Sequence, residues 1–239
     1  MKLKAKKAFI TGGSKGIGKG IAKSFLIEGC KVIICARNLK DLMDTKNELN
    51  EFGDIDYINS DISDYQDVLR ISEILQKKFN CLDILVNNAS ILGVKTKVSE
   101  YPVEIWDKVF KININGQFYV IKALLPLLIK SKKASIINIS STVGRKGRAT
   151  WGAYSASKFA LEGLTQVLAD EFKGTNVRIN SVDPGGTRTD MRASAYPDED
   201  PNTLPTPEHI SPIFIYLASD ESIGINGKEF NARDYIRTQ

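Results

Sequence analysis

The sequence predicts an α/β fold, a doubly wound parallel sheet of about seven strands with helices on both faces. Three observations carry this. Short runs rich in β-branched residues alternate with stretches of helical period. The first run leads directly into a glycine-rich turn, "FITGGSKGIG". The chain of 239 residues has no internal repeat or low-complexity block, so it reads as a single domain over 1–239. Alternating strands and helices imply right-handed crossovers and a parallel sheet covered on both sides.

The elements follow in order. "KAFIT", "CKVIICA", "IDYIN", "LDILVNN", "ASIINIS", "VRINSV" and a weaker "GKEF" read as strands. Between them, helical periodicity covers 16–28, 38–51, 64–79, 102–130, 150–173 and 207–218. The stretch 184–207 holds five prolines and is expected to lack a regular helix. A loop that long after a late strand is expected to be a lid over a ligand cleft.

Composition narrows the function classes. The chain is 42% hydrophobic and 26% charged, with net charge +5, too mild for a nucleic-acid binder. Cys30, Cys35 and Cys81 have no framework spacing, which points to buried thiols in a reducing compartment. With the single His209 in a proline-rich stretch, no metal site is expected. The longest apolar candidate, "YVIKALLPLLIK", carries Lys122 and Pro126, so no membrane span is expected. No signal-peptide pattern follows the basic start, and the cytoplasm is the expected location.

Gly12, Gly16 and Gly18 form G-x-x-x-G-x-G between a strand and a helix. Glycines there let the backbone approach a pyrophosphate at a helix N-terminus. Two other motifs overlap the same residues. Gly13–Lys19 fits a P-loop, but Gly20 stands where Ser or Thr should hold Mg²⁺. Gly12–Gly16 fits the nucleophile elbow G-x-S-x-G around Ser14. Too little chain precedes Ser14 to supply an oxyanion-hole loop, and His209 is the only available histidine base.

Further along, Tyr154 and Lys158 stand four apart, on one face of a helix. A nearby ammonium is expected to lower the phenol pKa from its usual ~10 and fit it for proton transfer.

With these residues in view, the chain resembles the short-chain dehydrogenase/reductase family, including bacterial members of the 3-oxoacyl-acyl-carrier-protein reductase type. The resemblance runs from Lys4 to Asn231 and implies a Rossmann fold. It rests on "TGGSKGIG", "NNAS", "KININGQF", "NISS", "YSASK" and "DPGGTRT" in order. By this resemblance Asn113, Ser141, Tyr154 and Lys158 are the expected catalytic residues, with Ser140 and Asn115 the competing candidates. Tyr154 donates a proton to a carbonyl oxygen, Ser141 hydrogen-bonds that oxygen, Lys158 also holds the nicotinamide ribose, and Asn113 orders a water. Thr11, Gly12, Ser14, Lys15, Gly16, Ile17 and Gly18 are expected at the cofactor. So are Asp61, Ile62, Asn88, Ala89, Pro184, Gly185 and Thr189, with Asn87 beside them at the end of the fourth strand. Ser90 departs from the family, which has glycine there.

The second strand ends "ICARN", with no acid to hold the ribose hydroxyls of NAD. Arg37 and Lys15 instead suit a 2′-phosphate, so the expected cofactor is NADP(H). The resemblance implies a small-molecule carbonyl or alcohol substrate. Acyl carrier protein is a candidate partner through the basic runs "KSKK" and "RKGR" and Lys173. An alternative is an NADP-linked alcohol, sugar or steroid dehydrogenase, and a third reading is a non-catalytic dinucleotide-binding protein. The resemblance also implies a homodimer across helices 102–130 and 150–173, or a homotetramer that also uses the last strand, which "YIRTQ" follows.

Overall fold

Lys7–Thr11 forms strand β1, and its side chains alternate between two hydrophobic layers. Ala8 and Ile10 join one layer and Phe9 the other, all fully buried. A strand covered on both faces needs apolar residues at every position, hence the unbroken "AFI". The computed structural model describes residues 1–236.

After β1 come α1 (Gly16–Ile27), β2 (Lys31–Ala36), α2 (Leu39–Leu49), β3 (Ile55–Asn59), α3 (Tyr65–Lys78) and β4 (Ile84–Asn87). The second half contains α4 (Val103–Phe110), α5 (Gly116–Ile129), β5 (Ala134–Ile139), α6 (Gly152–Glu171) and β6 (Val177–Asp183). It closes with α7 (Asp190–Ala195), α8 (Pro212–Ala218) and β7 (Glu229–Asn231). The seven strands run parallel in the order β3-β2-β1-β4-β5-β6-β7. The order reverses between β1 and β4, and a crevice opens at the carboxyl ends of such neighbours. One layer packs α1, α2 and α8 on the sheet through Phe25, Leu42 and Phe214. The other packs α3, α5 and α6 through Ile71, Leu124 and Leu168.

The structure departs from sequence expectation in three places. The helix expected over 102–130 is interrupted at Lys111–Asn115 by a π-turn, a feature that recurs at functional sites. The continuous run Val103–Ile129 is long and apolar enough to cross a membrane by length and composition, contrary to expectation, but 56% of its apolar window is buried inside the fold. The proline-rich stretch does hold a helix, α7. All its prolines lie at 184 or from 197 onward, and Thr189 caps the gap by accepting from the Arg192 N–H at 3.2 Å. The final helix begins only at Pro212, whose fixed φ suits the first turn.

The thiols of Cys30 and Cys35 are buried, while Cys81 is half-buried. Of "YIRTQ", Arg237–Gln239 lie outside the described residues. Tyr235 stacks on Tyr216 at 6.2 Å between centroids.

Arg178 shows what a buried charge costs. It sits in β6, 6% exposed, and its guanidinium donates to the carbonyls of Lys133, Ala134, Leu217 and Ser219 and to Ser222 Oγ. Arg178→Ala strands these acceptors and is expected to destabilise the fold by about 3–5 kcal/mol. A urea melt checks this; a loss below about 1 kcal/mol contradicts it.

Candidate active site

The site is built at the ends of β1, β4, β5 and β6. Gly12, at φ +62°, turns the chain out of β1, a conformation that favours glycine. A Cβ there meets the Ala89 backbone at 2.9 Å, and one at Gly18 collides with the Gly12 carbonyl. Both glycines therefore let the loop pack against the end of β4. Thr11 pins that contact: its hydroxyl accepts from the Asn88 and Ala89 N–H groups, each at 3.0 Å. The Asn88 amide donates to the Thr11 and Gly12 carbonyls at 2.9 and 3.0 Å. Asn87 is turned inward and donates to Asn138.

Helix α6 carries Tyr154 and Lys158. Both are buried, and the ammonium lies 5.6 Å from the phenol ring centroid. Lys158 Nζ donates to the Ile139 carbonyl at 2.7 Å. The Ser141 and Ser90 hydroxyls both act on the phenol. Asn113 lies in the π-turn, fully buried, with its Oδ1 accepting from the Ile91 N–H at 2.8 Å. Its amide donates to the Ile91 carbonyl at 2.9 Å and to Ser157 Oγ at 3.1 Å. Its direct work is thus to lock the β4–α4 loop to α6.

The electrostatics correct one expectation. Burial pushes the Tyr154 phenol up to about 12, and the Asp183 charge adds to this; Ser141 and Ser90 oppose it, and Lys158 is not among the causes. The ammonium is instead turned to the Ile139 carbonyl, and burial lowers its own pKa to about 8.

Two adjoining cavities share Gly12, Lys15, Ala89 and Ser90. One, of about 320 Å³, lies beyond β2 and is bordered by Ser14, Arg37, Asp61 and Ile62. The other, of about 260 Å³, is bordered by Gly16, Ile17, Asn88, Tyr154, Lys158, Pro184 and Thr189. Thr11, Gly18 and Asn113 shape the walls from behind, whereas Ser141 and Gly185 face a third cavity on the far side of Tyr154. His209 is exposed, bonded to Thr206, and borders neither cavity. That leaves the nucleophile-elbow reading of Ser14 without a base.

Several lining residues escaped the sequence reading. Ile91, Ile112 and Met191 are apolar walls with no motif. Asp41 carried a readable signal, an acid in the first turn of α2. It holds Lys15 at 2.8 Å and raises its pKa. Arg37 faces Asp61 at 3.9 Å.

The cavities fit a dinucleotide with a 2′-phosphate. The cations Lys15 and Arg37 and the N-terminus of α2 meet at the first cavity, and no carboxylate ends β2. In the second, Ser140 has a buried hydroxyl with no hydrogen-bond partner, which leaves capacity for a polar ligand.

Comparison with known proteins agrees with this architecture. The family model described as short chain dehydrogenase matches residues 6–200. The uncharacterized oxidoreductase YciK of Escherichia coli is 40% identical over 231 residues, covering 94% of this chain and 90% of that protein. The 3-oxoacyl-[acyl-carrier-protein] reductase FabG of Thermotoga maritima is 33% identical, covering 95% and 96%. A Shigella flexneri chain described as a short chain dehydrogenase complexed with NADP superposes with TM-score 0.93 at 39% identity, covering 97% of this chain and 98% of that one. With its sheet order, its strand-end cavities and this match over most of its length, the chain belongs to the short chain dehydrogenase family.

Proposed function

We propose that the protein is an NADPH-dependent reductase that converts a carbonyl to a secondary alcohol. The observation that carries this is the placement of Tyr154 and Lys158 at one end of the paired cavities and of Lys15 and Arg37 at the other. The NADP bound by the Shigella relative supports the cofactor.

Bound in these cavities, NADPH would supply hydride for the carbonyl carbon. Tyr154 gives its proton to the carbonyl oxygen. A phenol held near 12 stays protonated at neutral pH, so it suits the donor role in reduction. Ser141 donates a hydrogen bond to the same oxygen. Buried Lys158 places a cation behind the phenol. Asn113 keeps α6 and the β4–α4 loop in register. Thr11, Gly12, Ser14, Lys15, Gly16, Ile17 and Gly18 would hold the pyrophosphate and ribose, Asp61 and Ile62 the adenine, and Asn88, Ala89, Pro184, Gly185 and Thr189 the nicotinamide side. The chain works as one such unit, with 184–207 as lid.

A second reading, reduction of a 3-oxoacyl group on acyl carrier protein, has one observation in its favour. The Thermotoga relative bears that activity in its name, whereas Lys132, Lys133 and Lys173 line a cavity at the opposite end of the sheet, away from Tyr154. Exposed Phe118, Phe159 and Val167 on α5 and α6 suit a homodimer, and the cytoplasm suits its cofactor and thiols.

Titrating NADPH and NADH by fluorescence tests the cofactor. A charged hydrogen bond contributes roughly 1.5–3 kcal/mol, so NADPH is expected to bind about 10–100-fold tighter. Arg37→Ala should weaken NADPH and leave NADH nearly unchanged. Asp41→Asn frees Lys15 and should tighten NADPH. Equal affinities in the wild type, or equal losses in Arg37→Ala, contradict the assignment.

A further inference from the structure

The third cavity, of about 410 Å³, starts at Ser141 and runs between the β5–α6 loop and α7. Trp151 and Tyr196 line it, with their ring centroids 5.9 Å apart, and Trp151 in turn lies 5.8 Å from the Tyr154 ring. An aromatic wall thus leads outward from the phenol.

Cations gather along that wall. Arg148 donates to Tyr196 Oη at 2.9 Å, and Lys146 borders the cavity beside it. Across the cleft, Lys95 sits 4.3 Å from the Tyr196 centroid and 5.3 Å from that of Trp151 and donates to the Ala195 carbonyl. Among the described residues, none of these three has a carboxylate within 4.0 Å. Arg192 is different: Glu199 accepts from it twice, at 2.6 Å, and cancels its charge. The remaining acid, Asp183, is engaged by the Gly185 N–H and the Thr142 hydroxyl. The balance at the cavity is positive. The loop that presents Arg148 is also held in an unfavourable shape. Thr150, β-branched, has φ +71°, and backbone strain of this kind gathers at ligand-binding sites.

Resting on the reductase reading, we propose that the carbonyl substrate carries an oxyanion group, a carboxylate or phosphate monoester, held by Arg148 and Lys146. The carbonyl lies at Ser141 and Tyr154, and an apolar or aromatic spacer lies along Trp151. Arg148 offers the planar donor fork that such groups match.

The test uses matched probes with NADPH: 4-acetylbenzoate against its methyl ester, and 4-acetylphenyl phosphate against 4-methoxyacetophenone. The two arms separate carboxylate from phosphate. One charge-assisted contact corresponds to about tenfold or more. The wild type is therefore expected to favour an anionic probe over its neutral partner in kcat/KM by about that factor, less at high salt. In Lys146→Ala/Arg148→Ala the ratio should fall toward one, and Arg148→Glu should invert it. NADPH affinity and melting temperature report that the variants are folded. A wild-type ratio of one or below in both arms, or a ratio unmoved in the double variant, overturns the proposal. Calorimetric titration of the NADP⁺ complex separates the two readings. An anionic probe that binds without turnover, and loses binding in the double variant, supports the anion site and counts against the reductase. No binding of either anion by the wild type overturns the anion site.

Discussion

Tyr154→Phe is expected to lower kcat by about 10²–10⁴-fold, the usual contribution of a positioned proton donor, while NADPH still binds. The substitution removes one hydroxyl and keeps the ring that packs on Trp151, so the fold should hold. No histidine stands near enough to replace the phenol, since the single His209 is exposed, bonded to Thr206, and does not border the cavity at Tyr154. The pH profile adds a second check. With its pKa pushed up to about 12, the phenol remains a donor across the working range. Lys158, lowered to about 8, loses its charge first. Turnover should therefore hold below pH 8 and fall above it. A phenylalanine variant that keeps more than a tenth of wild-type kcat, with the hydride step limiting, removes Tyr154 from the mechanism.

Lys158→Met is expected to abolish most turnover and weaken NADPH binding, yet to stabilise the fold at neutral pH. Lys158 is 2% exposed, and burial lowers its pKa from 10.5 to about 8. The folded state therefore releases a proton that the unfolded state keeps between pH 8 and 10.5. Stability from this group is full above 10.5 and is lost as pH falls through 8. At pH 7 the penalty is about 3 kcal/mol, at roughly 1.4 kcal/mol per pKa unit. The variant escapes it but leaves the Ile139 carbonyl without its donor, which costs about 1–2 kcal/mol. A net gain of about 1–2 kcal/mol should raise Tm by roughly 2–8 °C, shrinking as pH climbs past 8. A variant less stable than wild type at pH 7 contradicts this account and makes Lys158 a structural cation. Function held against stability is a common trade at active sites.

Much of this was legible in the sequence because it is local. Strand β2 falls within "CKVIICA" as read, since a parallel strand covered on both faces is apolar along its length, and Val32, Ile33, Ile34 and Cys35 are all buried. The Tyr154–Lys158 spacing gave their shared helix, because four residues make one turn. What the spacing did not give was direction. Lys158 turns to the Ile139 carbonyl across 19 residues of chain, a tertiary contact that no helical wheel contains. The same holds for the Lys15–Asp41 pair, which joins the glycine-rich loop to the first turn of α2, and for Ile112 and Met191, whose walls exist only once the sheet is assembled. Helix α7 escapes the proline rule because Asp190–Ala195 lies wholly between Pro184 and Pro197.

The central claim is that these groups reduce a carbonyl at the expense of NADPH. Single-turnover mixing of the NADPH-loaded protein with a panel of carbonyl compounds tests it most directly, with loss of cofactor absorbance and alcohol formed followed together. The account predicts that at least one carbonyl consumes NADPH mole for mole with alcohol in the wild type, and that the rate collapses in Tyr154→Phe. Tight NADPH binding with no consumption across the panel would contradict it and leave a dinucleotide-binding protein without this chemistry.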